Sequence, residues 1–344
     1  MTKRNIAICT AIVLVAAVAL FFLNRGGTET ENDPLFDSGV ELPELEQLAI
    51  TVAWNPHSTA DDMTHALIAG FSTQVTVRNV PGANGANGKN AVFDATRNGE
   101  ELLATSLSAF ATAEAMGFGE SSRQEWSGWL CAFAPAIVVV AVESPFQTMS
   151  DLAEEQRPLI GANSGFGTVS FIAAEILRTE VLTELEHVSH AGSSPAINSL
   201  RNGEADFAVM LSVEAVNALR SGELRAIAAF TEMDFAIPNA DGEYEIIIPS
   251  LVNSFRVNSG DFLPLGEYFG LFIPSDTPQN RLNGIESTLQ NSITLPTFTN
   301  FINERGMVAI IPNSSQNAMQ INRLGNLILQ TLYATGFIRH EHSF

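Results

Sequence analysis

Pro158-Leu-Ile-Gly-Ala-Asn-Ser-Gly-Phe-Gly-Thr-Val-Ser-Phe-Ile-Ala-Ala-Glu-Ile-Leu177 is the stretch that decides the fold class. The short apolar run 158–162 reads as a buried strand. The turn 163–168 is built from Gly, Ser, Asn and Thr, and the apolar spacing over 169–177 is that of a helix. A second apolar run at 185–188 follows, so the segment is one strand-helix-strand unit.

Working outward, the same alternation recurs on both sides. Toward the N-terminus, strands are expected at 48–54, 74–80 and 102–105, with a helix opening after Ser58 and another over 89–97. Toward the C-terminus, the turn 190–195 opens a helix to about Asn202. Strands at 205–210, 224–230 and 267–273 and helices at 213–221, 278–292 and 315–335 complete the pattern. Strands alternating with helices of this length define an α/β chain with parallel strand-helix-strand units. The apolar run 134–142 is a further strand, and a crossing between domains is expected near 143.

The chain has 344 residues, 46% of them hydrophobic, enough for two medium cores. Only 16% are charged, which excludes a disordered or coiled-coil protein. Seventeen Lys and Arg stand against 38 Asp and Glu, a net charge of −21, and Lys3 and Lys89 are the only lysines. Such a surface repels nucleic acid, whose affinity rests on clustered cations. Cys9 lies in an apolar leader and Cys131 alone beyond it, so no intrachain disulfide or CxxC pair is expected within the exported part; Cys131 is expected to be a buried structural thiol.

Residues 1–25 carry Lys3 and Arg4, an uncharged apolar run over 6–23, and Arg25. They read as an export signal or, uncleaved, as a membrane anchor. Residues 26–47 hold seven acids and no base, an acidic tether before the fold.

The turns at 55–61, 81–88, 163–168 and 190–195 each feed a helix N-terminus. Free N–H groups there carry partial positive charge and hold carboxylates without Lys or Arg. One such turn is usually only a turn; recurrence in both halves of the chain argues for a binding role. Gly82, Gly85 and Gly88 lack the GxGxxG spacing of a dinucleotide loop. GxSxG, HExxH, Walker and CxxC patterns are missing, so catalysis, cofactors and metals have little support. Asp61 and Asp62 fit a helix's first turn, His187 and His190 a packed or capping role, and His340-Glu-His342 a frayed tail.

In order, Val77-Arg-Asn-Val-Pro-Gly-Ala-Asn-Gly-Ala-Asn-Gly88, Gly161-Ala-Asn-Ser-Gly-Phe-Gly-Thr168, His187-Val-Ser-His-Ala-Gly-Ser-Ser-Pro-Ala196 and Ser221-Gly-Glu-Leu-Arg-Ala-Ile-Ala228 resemble the TctC or Bug receptors of tripartite tricarboxylate transporters. Phe269-Gly-Leu-Phe-Ile-Pro-Ser-Asp-Thr-Pro278 fits as well, and the resemblance covers about 48–338. It implies a periplasmic-binding-protein type II fold, two α/β domains with mixed sheets around an interdomain cleft. The expected division is 48–143 with 265–344, and 144–264. It also implies a monomeric, periplasmic or otherwise extracytoplasmic receptor that is not an enzyme. Such a receptor binds a small organic acid or amino acid and delivers it to the permease subunits in the membrane. An anchored sensor of the same fold is the alternative.

Carried over by loop, the resemblance places the ligand against Asn55, His57, Ser58 and Asp61 and against Asn163, Ser164, Gly165 and Thr168. Thr105, Ser106 and Ser108, with Gly192, Ser193 and Ser194, form further walls. Backbone amides and hydroxyls are expected to hold it, with the Ser164 and Thr168 hydroxyls as donors. The chain departs from the family in having His57-Ser58 where Gly-Gly is usual, Ala191 where a cation is common and Phe171 where His is frequent. Positive charge is thereby lost, so a dicarboxylate is less favoured than in a typical member, and a monocarboxylate, a zwitterion or an aromatic acid fits as well.

Overall fold

The computed structural model describes residues 48–95, 97–118, 121–182, 184–238, 244–255 and 262–334, all within one compact unit, Leu42–Phe344. The expected leader, the acidic tether, His340 and His342 lie outside the described residues. Among the described residues, no helix is long and apolar enough to cross a membrane.

The alternation follows the sequence pattern. β1 (Leu48–Val52), β2 (Val75–Asn79) and β3 (Glu101–Ser106) are separated by helices Thr59–Ile68 and Ala86–Phe93. After the long β4 (Trp126–Ala141) come β5 (Leu159–Asn163), β6 (Leu185–Ser189), β7 (Phe207–Leu211) and β8 (Leu224–Ala229), with helices Val169–Glu180, Ser193–Arg201 and Ser212–Arg220 between them. A hairpin, β9 (Phe235–Pro238) and β10 (Tyr244–Ile248), precedes β11 (Gly266–Pro274). Helices Gln279–Ser292 and Pro296–Glu304, the short β12 (Val308–Ala309) and helix Ser314–Ala334 close the described chain.

The large sheet has the order β2-β1-β3-β11-β4-β7-β5-β6, with β8 and β12 also pairing with β4. β1, β2 and β3 are mutually parallel, as are β5, β6 and β7. β11 is antiparallel to β3 and β4, and β4 is antiparallel to β7 and β8, so the sheet is mixed. These pairings orient the two parallel sets head to head. The end of β3, Ser106, lies level with Phe269, which faces Ala132 of β4. The end of β7, Leu211, faces Ala136 of the same strand. The carboxyl ends of both sets therefore converge on residues 132–136.

β4 begins at Trp126, well before the expected 134, because Gly128 and Pro135 break the apolar run that marks a strand. Proline removes a ladder donor and is normally confined to edges. Here it stands where β4 changes partners: Pro135 faces Gly266 of β11, and Ala136 is the first residue to face β7. Helix Leu107–Ala115 was not anticipated, since small, apolar and polar residues are spread round it and give no amphipathic period. It is buried, with Phe110 stacked on Phe272 at 4.8 Å between ring centroids and edge-on to Trp126 at 5.5 Å. Lys89 is also buried. Its Nζ donates to the Ser121 carbonyl at 2.7 Å and sits over the Phe110 ring, and burial lowers its pKa to about 8. Cys131 is fully buried, as expected, and burial pushes its thiol up to about 12.

Candidate functional site

A cavity of about 430 Å³ opens where the strand ends converge. Trp54 follows β1, Ser106 ends β3 and Ser108 follows it, Ser164 follows β5, Leu211 ends β7 and Glu214 lies in the first turn of the helix after it; all line it. Ala109, Thr112, Met116 and Phe118 add one wall, residues 166–170 another, and Asn84 and Glu267 complete it. The volume suits a small metabolite. A second hollow of about 340 Å³ touches Leu48, Ala49 and Glu101, at the amino ends of β1 and β3. Ligands of open α/β sheets bind beyond the carboxyl ends of strands, which favours the first cavity.

The wall at 163–170 is built by helix capping. Gly165 at φ +138° and Gly167 at φ +76° turn the chain through backbone that other residues avoid. Thr168 is the N-cap of helix Val169–Glu180: its Oγ1 accepts from the Phe171 amide at 3.2 Å and its hydroxyl donates to the Gly165 carbonyl at 2.7 Å. The amides of Val169 and Ser170, in the first turn, have no carbonyl one turn back and stand at the positive end of the helix dipole, on the cavity wall. The expected Thr168 donor is thus engaged in the cap, and the Ser164 hydroxyl donates to Glu214 Oε2 at 2.8 Å.

Of the residues singled out from sequence, the structure brings Ser106, Ser108, Ser164 and Thr168 to the cavity lining. Gly165 lies between lining residues, and Asn163, fully buried, accepts the Gly165 amide on Oδ1 at 3.0 Å, while its Nδ2 finds no partner. Thr105 acts behind the wall, accepting the Trp54 indole N–H at 3.2 Å. Gly192 ties its loop to the site through its amide, which donates to the Ser164 carbonyl at 3.1 Å, but neither it nor Ser193 and Ser194 joins the lining.

The first loop is set back from the lining. Asn55 and His57 are exposed, and Ser58 caps helix Thr59–Ile68 by accepting the Asp61 amide at 3.3 Å. Asp61 in turn accepts the His57 amide at 2.8 Å and Asn79 Nδ2 at 2.8 Å, so this buried carboxylate locks the loop. His57, standing where Gly-Gly is usual, adopts φ +65°, a glycine-like conformation. The ligand atoms of His57, Asp61 and Asp62 lie within 4.8 Å of one another, but Asp61 is occupied as above and Asp62 pairs with Arg305.

Glu214 and Glu267 line the cavity and were not anticipated. Glu267 is 6% exposed on β11; its Oε1 accepts the Ser108 amide at 3.0 Å and its Oε2 the Ser108 hydroxyl. It thereby fills the N-terminus of helix Leu107–Ala115. Burial raises its pKa to about 7, and the neighbouring Glu214 charge adds to the rise. Burial raises Glu214 as well, against the bonds it accepts from the Leu211 amide and the Ser164 hydroxyl. A lone acid inside the apolar run Gly266-Glu-Tyr-Phe-Gly-Leu-Phe-Ile was the available signal for Glu267. Glu214 reads as an ordinary first-turn helix acid and gave none.

The architecture is that of the periplasmic solute-binding receptors. It superposes on a TctC solute-binding protein from Polaromonas with a TM-score of 0.72 at 18% identity, covering 84% of this chain and 98% of that one. R. palustris Rpa4515, solved with adipate, matches with a TM-score of 0.64 at 17% identity, over 85% of this chain and 97% of that one. Residues 60–331 match the profile of the tripartite tricarboxylate transporter family receptor (TctC), and the chain belongs to that family. A UPF0065 protein of Bordetella pertussis is 23% identical over 297 residues, spanning 82% of this chain and 88% of that protein.

Proposed function

We propose that the chain is an extracytoplasmic receptor that binds a small carboxylate-bearing metabolite in the 430 Å³ cavity and passes it to the membrane permease of a tripartite transporter. The observation that carries this reading is the convergence of four strand ends on one cavity whose wall includes the first turn of helix Val169–Glu180. The amides of Val169 and Ser170 receive the carboxylate. Phe118 and Phe166, each nearly half exposed at the cavity, cover the rest of the ligand. The R. palustris relative solved with adipate supports a carboxylate as the recognised group.

Two lobes, 48–143 with 265–334 and 144–264, share β4 and close on the ligand, excluding water and strengthening each hydrogen bond. The protein acts outside the cytoplasm, as a monomer with a complete cavity in each chain, and performs no catalysis. Isothermal titration calorimetry with a panel of small carboxylic acids tests the reading. At least one acid binds, and Phe166→Ala weakens it severalfold; a panel with no binder, or binding indifferent to Phe166, overturns it.

A further inference from the structure

The cavity's second pole is negative. Among the described residues no Lys, Arg or His lines it, yet two carboxylates do: Glu267 reaches it from β11 and Glu214 from the first turn of the helix after β7, the two strands that flank β4. Glu267 faces Ala134, and Leu211, whose amide Glu214 accepts, faces Ala136, two residues along the same strand. Their hydrogen-bond donors are uncharged: the Ser108 amide and hydroxyl and the Tyr268 amide for Glu267, and the Leu211 amide and the Ser164 hydroxyl for Glu214. Buried carboxylates are ordinarily matched by a cation. The anion-accepting end of helix Leu107–Ala115 is moreover already filled by Glu267. A ligand with a carboxylate at each end would set one of them against two of the protein's own.

We infer that Glu214 and Glu267 are the specificity-determining residues of this cavity, and that its ligand is a zwitterion whose ammonium seats between them while its carboxylate meets the Val169 and Ser170 amides. The inference rests on the cavity being the binding site, as proposed above. Selectivity comes from the repulsive element as much as from the attractive one: the acids bind the cationic end and reject a second anion. Burial supports the arrangement, since it holds both acids above the usual carboxylate range and a bound cation would draw them back to the charged form.

Matched ligand pairs test this on the full chain by calorimetry at pH 8: β-alanine with succinate, and 5-aminopentanoate with adipate. The amino acid of at least one pair binds about tenfold or more tighter than its dicarboxylate partner. Glu214→Gln and Glu267→Gln each narrow that ratio, and zwitterion affinity falls between pH 8 and pH 6 as Glu267 takes up a proton. Glu214→Gln serves where the Glu267 variant fails to fold. If dicarboxylates bind as tightly or more tightly, and Phe166→Ala weakens them, the cavity is the site and the inference is wrong. If neither class binds, the cavity assignment falls, and the inference with it.

Discussion

Glu267→Gln should make the protein more stable at alkaline pH and do little at acid pH. A carboxyl raised from 4.5 to about 7 by burial favours the folded state only while it is protonated. Its contribution is therefore best below about pH 4.5 and is lost as pH rises through 7, the opposite of a salt-bridged acid. Between pH 5 and pH 8 the linkage amounts to about 2.5 kcal/mol lost from the parent protein, a large share of a typical folding free energy. Glutamine keeps an oxygen for the Ser108 amide and carries no charge, so it removes the pH-dependent cost. Urea unfolding at pH 5, 6, 7 and 8 measures the difference, with Glu214 retained as the neighbouring charge in both proteins. Parent and variant stabilities that diverge between pH 5 and pH 7 and level off toward pH 8 are expected. A constant offset across the range would mean that Glu267 titrates normally, and the electrostatic picture of the cavity would be wrong.

Three further outcomes follow from local geometry. Thr168→Ala removes the N-cap of helix Val169–Glu180 and should cost about 1 kcal/mol of stability by thermal unfolding; an unchanged midpoint would mean the cap is dispensable. His57→Gly should stabilise by about 0.5–1 kcal/mol, because histidine at φ +65° is strained, whereas a loss of stability would show that the imidazole is needed. Gly88→Ala should destabilise by about 1–3 kcal/mol, since the added methyl would lie 2.8 Å from Ala53 Cα and 3.2 Å from the Val80 carbonyl oxygen; a neutral result in denaturant titration would refute that close approach.

Strand and helix positions were legible wherever a buried apolar run met a turn with a capping residue, as at Asn163 to Thr168 and at Ser58. The head-to-head meeting of the two parallel sets was not, because it depends on the register of β11 and β4, and pairing over such separations leaves no local period. Ser164 and Thr168 were found because anion-binding turns have a composition, and Ser106 and Ser108 through the resemblance to the TctC receptors. The same composition serves the chain itself: the hydroxyls of Ser164 and Thr168 and the backbone N–H of Ser108 are engaged by protein acceptors. Gly82, Gly85 and Gly88 proved to be backbone devices, two at positive φ and one at a close contact between helix Ala86–Phe93 and Ala53. The pairing of Glu214 with Glu267, distant in sequence and joined by the fold, carries most of what the cavity selects.

The central claim is that peptide groups at the start of helix Val169–Glu180 receive a ligand carboxylate. Amide chemical shifts of Val169 and Ser170, followed by NMR during titration with the tightest-binding acid of the panel, test it most directly. Saturable downfield shifts at these two amides, with the same midpoint as the calorimetric isotherm, are the expected result. Saturation of binding with both resonances unmoved would contradict it.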